Sequence, residues 1–417
     1  MLKMSKQNAI IFILVVFLGA LGALLYFYFS FSTGNSTKTM IQPVTTDTYN
    51  PFGTIPSTTP VGTTSLSIAT GSTPVLIAPN KLRQISTEPE SGFTVLDNPK
   101  AGQTDIHYIL RANGNIYEAY ADTLEQKRLS ITTVPKVYES MWLPDGIHLI
   151  IRYLKDDLQS VQTFSVKINP ATTTLNEFEG GITGNHLDEN VSALAVNPKG
   201  DKLFYLENNL NGSSGFVSPP TGLSKTLLFQ SPLVEWNISW PNENVITFTT
   251  KPSANVAGYL YFLNSQTGIF SRIIGGINGL TTKTNVNGNS VLYSDSIAGA
   301  PKLYLYDVKK GASQLLPWNT FPEKCAWSNT DAKIIYCAVP KSFPAGNYPD
   351  DWYQSLVGFT DDIWMINTDT SATTLVYDMQ KQTANNIDAV DLQLDKTDSY
   401  LFFTNKSDLT LWDLKLK

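Results

Sequence analysis

Charge is scarce in this 417-residue chain: Asp, Glu, Lys and Arg make up 16% of it and the net charge is −6. A nucleic-acid partner requires a basic face, so that class is excluded. Three histidines and two cysteines leave little room for a protein-ligated zinc site, and His107, His148 and His186 show no metal-ligand spacing. The G-x-S-x-G elbow, the phosphate-binding P-loop and the D-x-D-x-D-G calcium loop are all missing. No metal and no cofactor is therefore expected. Long amphipathic helical patterns are missing as well. What is present is ordinary aliphatic and aromatic content, 42% hydrophobic with 11% aromatic, enough for a large core.

One long apolar run does occur. Residues 9–31 (AIIFILVVFLGALGALLYFYFSF) carry no charge, and roughly 20 apolar helical residues suffice to cross a bilayer. Lys3 and Lys6 precede the run and no Lys or Arg follows until Lys38. The positive-inside rule then leaves residues 1–8 in the cytoplasm and everything after Phe31 outside, periplasmic or on the cell surface. The alternative is a cleaved signal peptide, but the run exceeds the usual apolar region of such peptides and no A-x-A site follows. Residues 32–74 are rich in Ser, Thr, Pro and Gly, with Lys38 and Asp47 the only charges. Such a composition buries too little apolar surface to order itself, so it reads as a linker whose span is roughly 35–40 Å.

From residue 75 onward the pattern has period two and repeats. The clearest unit is 137–154 (VYESMWLPDGIHLIIRYL): an apolar strand, a turn at Pro144-Asp145-Gly146, and a second apolar strand. Variants recur at 191–206, 235–250, 280–294, 323–339 and 388–404, with Pro, Gly, Asn or Asp at the matching turn each time. A third strand and a fourth follow each hairpin, and a degenerate copy fits 93–130. Four strands at about 40–50-residue spacing make a propeller blade. Seven copies predict an all-β, seven-bladed propeller of four-stranded antiparallel blades over residues 75–417. The last copy lacks a fourth strand, whereas 74–86 precedes the first, so the N-terminal segment is expected to complete blade seven and remove an open edge.

These repeats resemble the TolB-like (PD40, WD40-like) β-propeller repeat, whose pattern is W-S-P-D-G-K followed later by I-Y-x-x-D. The residues that carry the likeness are Trp142-Leu143-Pro144-Asp145-Gly146, Asn197-Pro198-Lys199-Gly200-Asp201, Trp327-Ser328-Asn329 and Leu305-Tyr306-Asp307. The resemblance implies a fold and not a function, since propellers host many functions. TolB itself has a separate N-terminal domain in place of an anchor and linker, so its partner role does not carry over.

Three features could carry chemistry. Cys325 and Cys337 flank the turn 329–333 symmetrically, and a simple hairpin register sets them opposite one another, which suits a disulfide in an oxidising compartment; two buried thiols are the alternative. The long loop 340–360 gathers Asp350, Asp351, Trp352, Tyr353 and Phe359, with Asp361 and Asp362 beside it. Loops on a rigid scaffold commonly bind partners through exposed Trp and Tyr, so these seven residues form a candidate acidic, aromatic recognition face; the alternative is that the aromatics tuck the loop onto its blade. The expected function is a membrane-anchored binding or scaffold module facing an envelope protein or cell-wall component. The competing class is a propeller enzyme, a lyase or glycan hydrolase, with its site in the central channel. Converging ionisable side chains in that channel would favour a ligand site, and small or apolar filling a scaffold.

Overall fold

The computed structural model describes residues 81–98, 103–169, 180–297, 299–382 and 386–417. The apolar run 9–31 and the linker 32–74 lie outside the described residues. Among the described residues no helix is long and apolar enough to cross a membrane.

Twenty-eight described strands form seven four-stranded antiparallel sheets. Blades 1 to 6 run through consecutive strands over residues 90–130, 137–186, 191–231, 236–278, 281–315 and 325–377, and blade 7 begins at 389. The hairpins expected from the repeat are each the first two strands of a blade. Turn chemistry sets them locally. In blade 2, Asp145 accepts hydrogen bonds from the Ile147 and His148 amides, both at 2.9 Å, and Gly146 takes φ +65°. A Cβ there would meet Leu96 Cδ1 at 2.2 Å, so this turn requires glycine.

Closure occurs as expected. Leu82–Gln84 is the outer strand of blade 7 and pairs antiparallel with Thr410–Lys415, Leu82 opposite Leu414 and Gln84 opposite Trp412. Alternate residues of neighbouring sheets then interleave. Seven apolar clusters fill the seven blade-to-blade junctions, from blades 1–2 (Ile109 and Val137 among others) round to blades 7–1 (Phe402 and Phe93).

The meander also fixes two faces. Loops between second and third strands, and the connections between blades, leave on one side, here termed the connection face. The remaining turns leave on the other, the turn face. First strands of neighbouring blades touch at the junctions of blades 1–2, 3–4, 6–7 and 7–1, which sets first strands around the axis. The register of Leu82–Gln84 against Thr410–Lys415 brings the chain into blade 7 from the turn face.

Blade 6 differs from the rest. Its cysteines oppose one another in the ladder, with Cα atoms 4.1 Å apart and the sulfurs placed as a disulfide. Its 341–360 connection carries a single helical turn, Asp350–Tyr353, and a cluster of its own formed by Phe321, Tyr348, Trp352 and Phe359.

Candidate functional site at the mouth of the central channel

The seven residues expected to make a recognition face do come together, but three of them are buried. Trp352 is 2% exposed and Phe359 3%; Asp361 is buried completely. At their centre lies a residue that the sequence reading passed over, Lys324, whose side chain is fully buried and paired with Asp361 at 2.7 Å and with Asp388. Its ammonium also lies 5.2 Å from the Trp352 ring centre and 5.5 Å from that of Phe359. Asp388 in turn accepts from Trp352 Nε1 at 2.9 Å and the Phe359 amide at 3.1 Å. Burial pushes the Asp361 carboxyl up to about 6, against the pull of Lys324. A large aromatic gains more by burial than by standing in water, and the buried cation gives both rings and both carboxylates a partner.

The remaining acids hold the loop in place. Asp350 accepts from the Ala254 amide of blade 4 at 2.6 Å, Asp351 from the Asn347 amide at 2.8 Å, and Asp362 pairs with Lys341 at 3.1 Å. The loop therefore reaches from blade 6 across to blade 4. Only Tyr353, 39% exposed, offers a sizeable aromatic surface from this set, and its hydroxyl donates to Glu323 Oε1.

Glu323 in turn acts electrostatically on Lys283, which lines the channel. A cavity of about 430 Å³ opens at the connection face among the first strands of blades 1, 2 and 7, with Lys283 reaching in from blade 5. Ionisable groups converge on it. Lys283 donates to the Cys325 carbonyl at 2.5 Å; burial pushes its amine down while the Asp391 and Glu323 carboxylates pull it up. Burial pushes Asp391 up, with Lys283 opposing and Glu139 adding to the rise. Asp391 sits where the ladder slips between Val390 and Gln393, with φ +55°, and this bulge turns an exposed side chain toward the cavity that it lines. Glu323 is raised by burial and lowered by Tyr353, and its Oε2 is buried without a partner among the described residues. On the blade 2 wall, Arg152 donates to Glu139 at 2.7 Å and lies 5.3 Å over the Tyr138 ring.

No repeat pattern marks these residues. They come from blades 2, 5 and 7 and from the segment that leads into blade 6, and the ring brings them together. Only the inward parity of first-strand positions could have pointed to some of them, Glu139, Lys283 and Asp391.

Glu90, also on the rim, makes a prediction of its own. It is 3% exposed, accepts from Thr404 Oγ1 at 2.5 Å and from the Gly92 amide, and burial pushes its carboxyl from 4.5 up to about 7. Between those two values the native protein holds a proton that the unfolded chain has released, so the stability linked to Glu90 falls as pH rises through that window. Glu90→Gln removes this slope. Thermal melts at about pH 5 and 7.5 should show the wild type losing on the order of 2 kcal/mol more than the variant, at roughly 1.4 kcal/mol per pH unit; parallel losses would show that Glu90 titrates normally.

No family model matches the chain, and no curated protein matches it either. Solved structures do. The chain is similar to an oligogalacturonate lyase from Vibrio parahaemolyticus, with TM-score 0.52 and 9% identity over 79% of this chain and 97% of that one. TolB from Acinetobacter baumannii gives 0.41 and 12% identity over 67% of this chain, which spans 61% of that protein. A puromycin-hydrolyzing peptidase from Mycobacterium tuberculosis gives 0.49 and 12%, over 79% and 53% of the two chains. Likeness at such identity is one of fold.

Proposed function

We propose that the protein is a membrane-anchored, extracytoplasmic binding module of the cell envelope, which holds a protein or cell-wall component at the mouth of its central channel. The observation that carries the reading is the convergence of Arg111, Glu139, Lys283 and Asp391 on one cavity at the connection face. Ionisable groups gathered in a concave site, two of them, Lys283 and Asp391, shifted by burial, are the usual mark of ligand binding. The anchor rests on the uncharged run 9–31 and its flanking lysines, and an oxidising compartment suits the Cys325–Cys337 pair.

Photocrosslinking in native membranes tests this. A photoreactive phenylalanine analogue in place of Tyr138, which lines the cavity, should capture a partner that the same probe at Leu227, exposed on the outer strand of blade 3, does not. Lys283→Met should abolish the capture. Equal labelling from both positions, or protease accessibility that puts the propeller in the cytosol, would overturn the proposal.

A second reading, a propeller enzyme of the lyase or glycan hydrolase class, is favoured by one observation. Asp391 and Lys283 place a carboxylate and an amine in electrostatic contact within the same cavity, which is the composition of an acid–base pair.

A further inference from the structure

The charged groups around the cavity fall into two kinds. Glu139 and Arg152 neutralise one another. Glu90 has both oxygens occupied. Arg111, Lys283 and Asp391 are different: none forms an ion pair with any described residue. Arg111 donates to a single acceptor, the Tyr138 carbonyl at 3.2 Å, which leaves most of its guanidinium fork unused. Lys283 likewise spends one donor on the Cys325 carbonyl. Asp391 accepts no hydrogen bond from a described residue, although protein surrounds it closely enough for burial to dominate its titration. Ser140 Oγ, in the same lining, is buried and also without a partner among the described residues. A buried polar atom such as Ser140 Oγ calls for a partner, and the charged groups that line the cavity beside it are of both signs.

We infer that the channel mouth binds a zwitterion, a ligand presenting an ammonium group to Asp391 and a carboxylate to Arg111 and Lys283, the class of free amino acids and short peptide termini. This deepens the channel-mouth reading above and rests on it. The planar fork of Arg111 suits a carboxylate in two-point contact, and Asp391, turned into the cavity by its bulge, supplies the counter-charge for an amine. A volume of about 430 Å³ lies within the ordinary range for small-ligand sites and leaves room for a dipeptide together with bridging water. A neutral polyol would offer no charge to the Arg111 fork or to Lys283 and Asp391, which meet only each other's field, and a plain anion would leave Asp391 facing its own charge.

Native mass spectrometry of the intact protein with four probes decides the matter: a mixed dipeptide library, the same library N-acetylated, the same library C-amidated, and maltose. Free dipeptides should bind at least about tenfold tighter than either blocked library, the equivalent of 1.4 kcal/mol. Asp391→Asn should erase the difference between free and acetylated libraries only, and Arg111→Gln that between free and amidated only. Both variants should keep the wild-type melting temperature within a few degrees; if Arg111→Gln fails this it is replaced by Lys283→Met, which should reduce the preference for free carboxylate in the same way, and if Asp391→Asn fails it is replaced by Asp391→Ser. Equal binding of free and blocked libraries overturns the zwitterion assignment. Binding of maltose alone, lost in Lys283→Met, overturns it while leaving the channel mouth as the binding site. Absence of all four from a folded protein overturns both.

Discussion

Lys324→Met is expected to destabilise the protein by about 3–5 kcal/mol, the cost of leaving buried charge without its counter-ion. The ammonium is inaccessible to water and lies between Asp361 and Asp388, which are themselves buried. Methionine fills similar volume, so little of the loss arises from packing. The two carboxylates left behind must either take up protons or draw in water. Asp388 anchors the Trp352 indole and the Phe359 amide, and Asp361 accepts from the Ala389 amide at 2.7 Å, so the damage spreads to the loop and to the junction of blades 6 and 7. Equilibrium denaturation measures the loss, and limited proteolysis within 340–360 should accelerate with it. Lys341→Met is the control. Its partners Asp362 and Asp378 are ion-paired with it, but the lysine side chain is 31% exposed, and pairs of that kind are worth about 0–1 kcal/mol. Adding Asp361→Asn and Asp388→Asn to Lys324→Met should recover part of the loss, because neutral amides cost less to bury. A Lys324→Met protein as stable as the Lys341→Met control would show that water reaches the network.

The same cluster marks the boundary of what the chain discloses. Period-two alternation and turn residues are local signals, and each hairpin from 137–154 to 388–404 forms where those signals stand. Even the diverged turn of blade 7 keeps the chemistry: Asp395 accepts from the Ser399 and Tyr400 amides at 2.6 and 2.7 Å, doing what Asp145 does in blade 2. Closure was legible for a related reason, since a missing fourth strand is a countable absence. The opposed cysteines follow from arithmetic about one turn. Long-range burial leaves no such trace. Trp352 and Tyr353 are neighbours in a polar loop and look equally suited to a partner, yet one is sealed under the loop and the other is exposed and donates to Glu323. The difference depends on Lys324, 28 positions earlier in the chain, whose neighbours Glu323 and Cys325 give no hint that it is buried. The channel groups share this property. Arg111, Glu139, Lys283 and Asp391 come from a hairpin and three inner strands, and only closing the ring makes them one site.

Closing the ring is therefore where the other large effect is expected. Deleting residues 75–86 should lower the melting temperature by more than about 10 °C, or abolish cooperative unfolding. Leu82–Gln84 does more than cover an edge. The Arg83 guanidinium grips both oxygens of Asp413, Nε lying 3.3 and 3.0 Å from them, and extends to the Tyr120 and Ala121 carbonyls of blade 1 at 2.7 and 3.3 Å. One side chain so joins the last blade to the first. Gln126 of blade 1 donates to the Ile85 carbonyl at 2.6 Å, and Ile85 packs among Phe93, Ile106 and Leu411. Without the strand, Asp413 stays buried and unpaired, at a cost of about 3–5 kcal/mol, and the side chains of Leu82 and Ile85 forfeit about 1.5–3 kcal/mol each. At a few degrees per kcal/mol for a domain of this size the sum exceeds the stability of many proteins. Arg83→Met isolates the clamp from the strand and should account for up to half of the loss. Hydrogen exchange locates it: protection should fall first in 103–120 and 400–415, on either side of the opened junction, and last in blades 3 and 4 opposite. Uniform loss around the ring would mean that the blades unfold as one unit whichever junction opens. An unchanged melting temperature would mean that six junctions suffice, and that the seventh is closed for the sake of the channel it completes rather than for stability.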